Sequence, residues 1–465
     1  MKKNKNTINQ NIIKLFHIFV ILFLLLIIMN TYWAFWREKE LLNMTQNPRN
    51  RENLDLRGGI LSMTGEYLAK TVKKKRVYPE GEVISHITGY LDPIMGKSGL
   101  ENSCDEILRS HPFPFTLEGL KERWNDGQSR GYDIYLTLDI KLTRIAYEAL
   151  GNHRGAIVAI SPQTGEILIM VSKPGFDTNN LYKNWENYKK DPSSPLLDRT
   201  VQGSYIPGSI FKVLILASAL EEGIIKEKDT FHCPGYIDVE GHRFNCGYVH
   251  GHQDLRRALA NSCNVAFATI GLKMGRENLL KYFKKFFGNN YDISLPVIHS
   301  KLTEENLPGN KLLAQSSFGQ GEVLLTPFEA CLMTCVIANK GKMMYPYLIK
   351  EIKDSKKRLI KERKPEIMSN CISTETAEIV SSIMESVVEE GTGYRAKIEG
   401  IRVAGKTGTA EHPGGENNAW FVGFAPAENP KIAVAVIIEE GGAGGEAAAP
   451  VAGKVMYEYL KSETK

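Results

Sequence analysis

Residues 15–36 carry no Asp, Glu, Lys or Arg and are dominated by Ile, Leu and Phe. That is about the ~20 apolar residues a helix needs to cross a bilayer. Backbone groups find no water partner in hydrocarbon, so a single such run has to be helical. Lys2, Lys3, Lys5 and Lys14 precede the run, which predicts residues 1–14 on the cytoplasmic side. Trp33 and Trp36 fall at the far end, where an interfacial aromatic belt belongs. A cleaved signal peptide would have a shorter apolar core followed by small residues, but Tyr32, Trp33, Phe35 and Trp36 stand here instead. The expectation is an uncleaved single-pass anchor over 15–36, with the chain from about 37 onward outside the cytoplasm. A cytosolic enzyme is not expected.

The remaining length of a 465-residue chain suggests two or three domains. The formal charge of +5 is mild. The densest basic run, Lys73-Lys74-Lys75-Arg76, reads as a solvated face, and no nucleic-acid motif accompanies it. The seven cysteines are odd in number and scattered, so they form no disulfide framework. Cys331 and Cys335 sit in an apolar helix-like run and read as core. Cys233 and Cys246 flank a hairpin-like segment, 236–242, with His242, His250 and His252 nearby. Their spacing fits no standard zinc pattern, so a disulfide or a pair of buried thiols ranks above a zinc site.

Residues 37–132 read as a modest membrane-proximal region without a catalytic constellation. It opens with a charged helix-like stretch over 37–44 and contains Arg57-Gly58-Gly59-Ile60. From 133 the texture changes. Asp139 can cap a helix through 150. Two β-like runs, 155–160 and 165–171, flank the turn signal Ser161-Pro162-Gln163-Thr164. A mainly helical middle runs from 207 to 390. Two further β-like runs, 419–425 and 431–438, flank Pro426-Ala427-Glu428-Asn429-Pro430, and 449–460 reads as a closing helix. Strands at both ends with helices between predict an α+β domain over 133–465: one antiparallel sheet flanked by helices, with a helical lobe.

Within that domain, Tyr205-Ile206-Pro207-Gly208-Ser209-Ile210-Phe211-Lys212 reads as a loop turning into a helix, with Ser209 as its N-cap. Ser209 and Lys212 are three apart and share a face. A serine at a helix start with a partly neutral lysine one turn on can be an activated nucleophile. Alone, the pattern is common. Two motifs follow it in order: Ser262-Cys263-Asn264 at a helix break, and Lys406-Thr407-Gly408-Thr409 on a strand. This ordered set is the one known for penicillin-binding proteins and class A β-lactamases.

The chain resembles a class B penicillin-binding protein over roughly 133–460. Gly155 through Leu168 resembles the hairpin that opens the catalytic domain of that family, and Tyr205 through Lys212 its nucleophile segment. Phe318-Gly319-Gln320-Gly321 with Thr326-Pro327, and Gly391-Thr392-Gly393, resemble further recurrent stretches. Arg57, Gly58, Ile60 and Gly65 match the membrane-proximal pattern, but Ser62 and Met63 replace its acidic and basic residues. An ion-paired turn there is not expected.

The resemblance implies a penicillin-binding transpeptidase fold behind a pedestal over 37–132, and a peptidoglycan D,D-transpeptidase that also binds β-lactams covalently. It implies Ser209 as nucleophile, Lys212 as general base and Ser262 as proton bridge to the departing D-Ala nitrogen. Asn264 would hold the substrate backbone. Lys406 would supply charge, and Thr407, Gly408 and Thr409 would form the carboxylate clamp and strand edge. The backbone N–H groups of Ser209 and Thr409 would make the oxyanion hole. No metal or organic cofactor is implied for this chemistry. Substrates would be D-Ala-D-Ala stem peptides and an acceptor amine. With no large catalytic domain between anchor and pedestal, a separate membrane glycosyltransferase of the shape or division type is implied as partner. The alternatives are a D,D-carboxypeptidase, a β-lactamase or β-lactam sensor, and a non-catalytic scaffold. Residues 303–308 carry glutamate and asparagine in the wrong order for a class A β-lactamase. Cys263 reads as a packed small residue, and Glu411 and His412 as an exposed loop.

Overall fold

A computed structural model of the chain describes residues 2–35, 54–109, 130–411 and 415–463. It divides into two units, 1–54 and 55–465. The first contains a helix, Lys2–Phe35, whose Ile12–Tyr32 portion is long and apolar enough to cross a membrane. The side chains of Trp33 and Trp36, and the stretch 37–44, lie outside the described residues.

The second unit is built on a five-stranded antiparallel sheet. Its order is Ala404–Ala410, Asn418–Ala425, Ile432–Ile438, Gly155–Ile160, Ile167–Lys173. Successive side chains of a strand point to opposite faces, and here both faces are covered. Ile157 and Ala159 pack with Leu142, Ala146, Ala452 and Met456, from the helices Ile140–Ala149 and Gly444–Glu463. Ala156, Val158 and Ile160 face the other way, into the larger core that holds Phe328 and Leu332 of the helix Pro327–Ala338. That two-sided burial is why the strands other than Ala404–Ala410 read as apolar runs. Cys331 and Cys335 belong to the larger core, as their sequence context suggested. Asp139 caps its helix by accepting from the backbone N–H groups of Lys141 and Leu142.

Two larger features differ from the sequence reading. The closing helix starts at Gly444, five residues earlier than expected, and runs through Pro450. Glycine pairs and an internal proline normally signal a break. Here close approach requires the glycines, since a Cβ on Gly444 would lie 2.2 Å from the Gly408 carbonyl oxygen. The helical middle also carries small two-stranded ribbons, Tyr236–Val239 with His242–Asn245 and Thr230–Cys233 with Gly251–Asp254.

A second, six-stranded sheet has the order Leu359–Glu362, Ile349–Lys353, Asp133–Leu136, Ile60–Leu61, Tyr67–Val72, Lys75–Val77. It therefore takes strands from both sides of residue 132. Beneath it Arg57 is buried, with Nε 2.8 Å from Glu101 Oε2 and Nη1 2.8 Å from Asp105 Oδ1. Arg76 holds the other Glu101 oxygen at 2.6 Å. The Ser62 turn is closed by hydroxyls rather than an ion pair. Ser62 Oγ lies 2.9 Å from Thr64 Oγ1 and accepts from the Glu66 backbone N–H at 3.1 Å.

Candidate active site

Ser209 sits in a 3₁₀ turn, Gly208–Phe211, that runs directly into the helix Lys212–Glu221. Pro207 takes the position before the turn, and no side chain caps it. The expectation that Ser209 is an N-cap is therefore corrected. The turn is instead tied down through backbone, with Gly208 N–H donating to the Gly319 carbonyl at 2.8 Å. This leaves the Ser209 hydroxyl for Lys212, whose Nζ lies 2.9 Å from Ser209 Oγ.

The second motif joins two helices, Leu255–Ala260 and Asn264–Phe287. Asp254 caps the first through the Arg257 N–H, and the Cys263 thiol caps the second, accepting from Ala266 N–H at 3.4 Å. Between them Ser262 adopts φ of +54°, a left-handed conformation that costs a non-glycine residue about 1–2 kcal/mol. Strain of this kind concentrates where geometry serves chemistry. Here it lets Ser262 Oγ stand between two lysines, 3.2 Å from Lys212 Nζ and 3.0 Å from Lys406 Nζ. Lys406 Nζ also donates to the Thr407 carbonyl at 2.9 Å.

Lys212 Nζ donates at 2.7 Å to both the Ser262 carbonyl and Asn264 Oδ1. These acceptors take two N–H bonds. A neutral amine then points its lone pair at Ser209. The Asn264 amide group reaches the Asn245 carbonyl at 3.2 Å, so this side chain orients Lys212 as well as facing the site.

Both lysines are fully buried. Taking an ammonium out of water disfavours the charged form. Burial brings Lys212 from 10.5 to about 7, against a smaller opposing pull from the thiols of Cys263 and Cys246. Lys406 is held well below the ordinary lysine value by burial first and by the charge of Lys212 second. Ser209, Lys212, Ser262 and Lys406 thus form a continuous chain of proton donors and acceptors.

Lys406, Thr407, Gly408 and Thr409 lie on Ala404–Ala410, the edge strand of the sheet. A Cβ on Gly408 would meet the Pro207 carbonyl oxygen at 2.9 Å and Trp420 Cβ at 3.0 Å. The glycine therefore lets the strand and the Ser209 turn touch. Gly208 repeats the point: its φ is +57°, and a Cβ there would lie 2.7 Å from the Thr409 carbonyl oxygen. Gly319, from the Phe318–Gly321 motif, abuts the same turn, with 1.7 Å between its ideal Cβ and the Gly208 oxygen. Thr407 Oγ1 is 2.6 Å from Thr392 Oγ1, which links the Gly-Thr-Gly motif to the site. Thr409 is exposed, and its hydroxyl accepts from Gly444 N–H at 3.4 Å.

All eight residues singled out from the sequence converge on this cleft edge. Sequence reasoning gave Thr392 and Gly319 no role, and it passed over Trp420. This fully buried tryptophan donates from Nε1 to the Ile206 carbonyl at 3.1 Å and so fixes the strand-to-turn contact. A buried indole seeks such a partner, but nothing in sequence names it. Glu322 and Glu411 are exposed, and His412 lies outside the described residues. Asn306 caps its own short turn by accepting from the Thr303 backbone and hydroxyl, each at 2.9 Å. No disulfide joins the described cysteines. Cys233 and Cys246 instead meet Cys263 and His250, whereas the His252 ring pairs with His232 and the His242 ring with Phe244.

Residues 155–457 match the family model of the penicillin binding protein transpeptidase domain. Residues 57–134 match that of the penicillin binding protein A dimerisation domain. The chain is 31% identical over 443 residues to the peptidoglycan D,D-transpeptidase PbpA of Mycolicibacterium smegmatis, covering 87% of this chain and 90% of that protein. It superposes on the D,D-transpeptidase domain of a peptidoglycan glycosyltransferase from Eggerthella lenta with a TM-score of 0.80 at 31% identity, covering 88% of this chain and 98% of that one. The imipenem acyl-enzyme complex of penicillin-binding protein A from M. tuberculosis gives 0.81 at 29% identity, covering 88% and 99%. A serine poised on a buried lysine, bridged to a second lysine on an edge strand, is the site expected of these proteins, and the chain belongs to the penicillin-binding protein transpeptidase family, among its class B members.

Proposed function

We propose that this chain cross-links peptidoglycan stem peptides outside the cytoplasm, held by its N-terminal helix with the lysine-bearing end inside. The observation that carries the reading is the 2.9 Å contact between Ser209 Oγ and the amine of Lys212, an amine brought to about 7 by burial. Near neutral pH a large share of that amine is free to accept a proton.

A stem peptide ending in D-Ala-D-Ala adds to the edge strand Ala404–Ala410 as an extra strand. Its carboxylate meets the hydroxyls of Thr407 and Thr409 and the charge of Lys406. Ser209 Oγ attacks the penultimate D-Ala carbonyl carbon, and its proton passes to Lys212 Nζ. The developing oxyanion takes the backbone N–H groups of Ser209 and Thr409, donors worth about 3 kcal/mol each. Collapse breaks the C–N bond, and the terminal D-Ala nitrogen receives a proton through Ser262 Oγ. An acceptor amine from a second stem peptide then attacks the ester. A new amide forms, and the Ser209 oxygen recovers its proton. β-Lactams enter by the same first step and stay as the ester. Cross-linking uses nascent glycan, and a separate membrane glycosyltransferase supplies it.

The test is cross-linking of a D-Ala-D-Ala donor peptide by the purified chain, with and without an acceptor amine, beside Ser209→Ala. Acceptor-dependent product and loss of fluorescent-penicillin labelling in the variant are expected. Labelling that turns over within seconds indicates a β-lactamase. Acceptor-independent D-Ala release indicates a carboxypeptidase. No labelling at all leaves the scaffold reading.

A further inference from the structure

Cys233, Cys246, His250 and Cys263 lie next to the active site, yet the acylation mechanism uses none of them. They come from four separate places. Cys233 ends the strand Thr230–Cys233, and Cys246 follows the strand His242–Asn245. His250 directly precedes the strand Gly251–Asp254, and Cys263 caps the helix Asn264–Phe287. Their donor atoms all fall within 4.8 Å of one another.

Three of the six donor–donor spacings match the edges of a tetrahedron around an ion, and the others lie within 4.8 Å. Zinc bonds of about 2.3 Å to sulfur and about 2.0–2.1 Å to nitrogen give edges of about 3.8 Å between two sulfurs and about 3.5 Å between sulfur and nitrogen. Cys246 Sγ is 3.8 Å from Cys263 Sγ. Cys233 Sγ and Cys246 Sγ are 3.5 and 3.4 Å from His250 Nδ1. Backbone N–H groups already support two of the sulfurs: Asn264 N–H donates to Cys246 at 3.3 Å and Ala266 N–H to Cys263 at 3.4 Å. Such donors stabilise thiolates and fix ligand orientation.

A second observation concerns the ribbons that carry three of the ligands. They are mostly exposed, and Phe231, Val239 and Phe244 supply the greater part of their buried apolar surface. A two-stranded ribbon is marginal on its own, and a small element with little core needs a staple.

We propose that Cys233, Cys246, Cys263 and His250 form a structural zinc site that locks the Ser262–Asn264 motif in place. Three thiolates and one imidazole make a soft, closed donor set, suited to zinc and not to magnesium or calcium. Binding converts three thiols to thiolates and releases their protons to solvent, with no change of oxidation state. Cys263 is the residue between the proton bridge Ser262 and the lysine-orienting Asn264. A metal bond to its sulfur therefore holds the left-handed Ser262 backbone and fixes both neighbours against Lys212. The four ligands are positioning residues. This coupling to acylation rests on the transpeptidase reading, but the metal site itself does not.

The experiment uses the full chain in detergent without a histidine tag. Metal analysis after dialysis against EDTA is expected to give one zinc per chain. Cobalt-grown protein should show the thiolate charge-transfer and tetrahedral d–d bands of a cysteine-rich site. Cys246→Ser and His250→Ala should lose the metal and the cobalt bands, and should slow fluorescent-penicillin acylation about tenfold or more. Cys371→Ala, outside the cluster, should change none of these. Because a ligand variant could simply misfold, wild type is also stripped of zinc with a mercurial, reduced and reloaded, and acylation should return with the zinc. Zinc-free wild type that acylates fully, or a Cys246–Cys263 disulfide in the unreduced peptide map, overturns the proposal. Metal-free variants that acylate at the wild-type rate overturn the coupling. One zinc per chain in a protein that penicillin never labels would instead sink the transpeptidase reading and leave the site standing.

Discussion

Lys212 offers the sharpest test of the catalytic geometry. Its amine is fully buried and is held at about 7 rather than 10.5. That difference corresponds to about 5 kcal/mol against the charged form. If the neutral amine takes the Ser209 proton, acylation by a β-lactam must follow the neutral fraction. The second-order rate should be on a plateau above about pH 8, fall to half near 7, and drop about tenfold by pH 6 and about a hundredfold by pH 5. Lys212→Ala should lower the plateau about 10²–10⁴-fold. The same group shapes stability. Unfolded, it holds its proton up to 10.5; folded, only up to about 7. Between those values the unfolded state binds more protons, so stability rises with pH across that window. Lys212→Met should flatten that slope. Stopped-flow acylation from pH 5 to 9, paired with urea melts over pH 7 to 10, reads both. A pH-independent acylation rate, or a Lys212→Ala variant within tenfold of wild type, refutes the assignment of Lys212 as base.

Ser262→Ala removes the oxygen shared by the two lysines, 3.2 and 3.0 Å away; acylation should fall about 10²-fold while zinc content stays unchanged, as measured by fluorescent penicillin and metal analysis. Gly208→Ala places a methyl 2.7 Å from the Thr409 oxygen at a φ of +57°, and should cost about 1–3 kcal/mol in a denaturant melt and abolish labelling. Arg57→Ala leaves Glu101 buried with half its partners. It should destabilise the chain by about 3–5 kcal/mol, with acylation at 20 °C unchanged in the folded fraction.

The candidate catalytic set was legible because Ser209, Lys212, Ser262, Asn264 and Lys406 fall in short local motifs whose order survives in the sequence. The sheet was legible because strands buried on both faces make continuous apolar runs, as in Ile432–Ile438. Sequence misled where a residue serves a distant backbone. Gly444 and Gly445 lie ahead of the expected helix start at 449, yet the helix begins there, with the Gly408 and Thr392 carbonyls too close for a side chain. Ser209 read as a cap because local rules favour serine there, but the contact with Gly319, far along the chain, satisfies the turn instead. The partnership of Cys233, Cys246 and Cys263 stayed hidden for a similar reason. Their spacing follows two ribbons and a helix start rather than one knuckle.

Gly208, Gly319, Gly408 and Gly444 bring four chain segments together by bare backbone. A side chain can be traded for another of similar size, but a missing one cannot be made smaller. Under selection by an acylating drug, these four positions therefore offer no escape that spares the native reaction. Adaptive change is channelled to the rim, to exposed residues such as Asn261, where shape can alter without pushing Ser209 from its lysine.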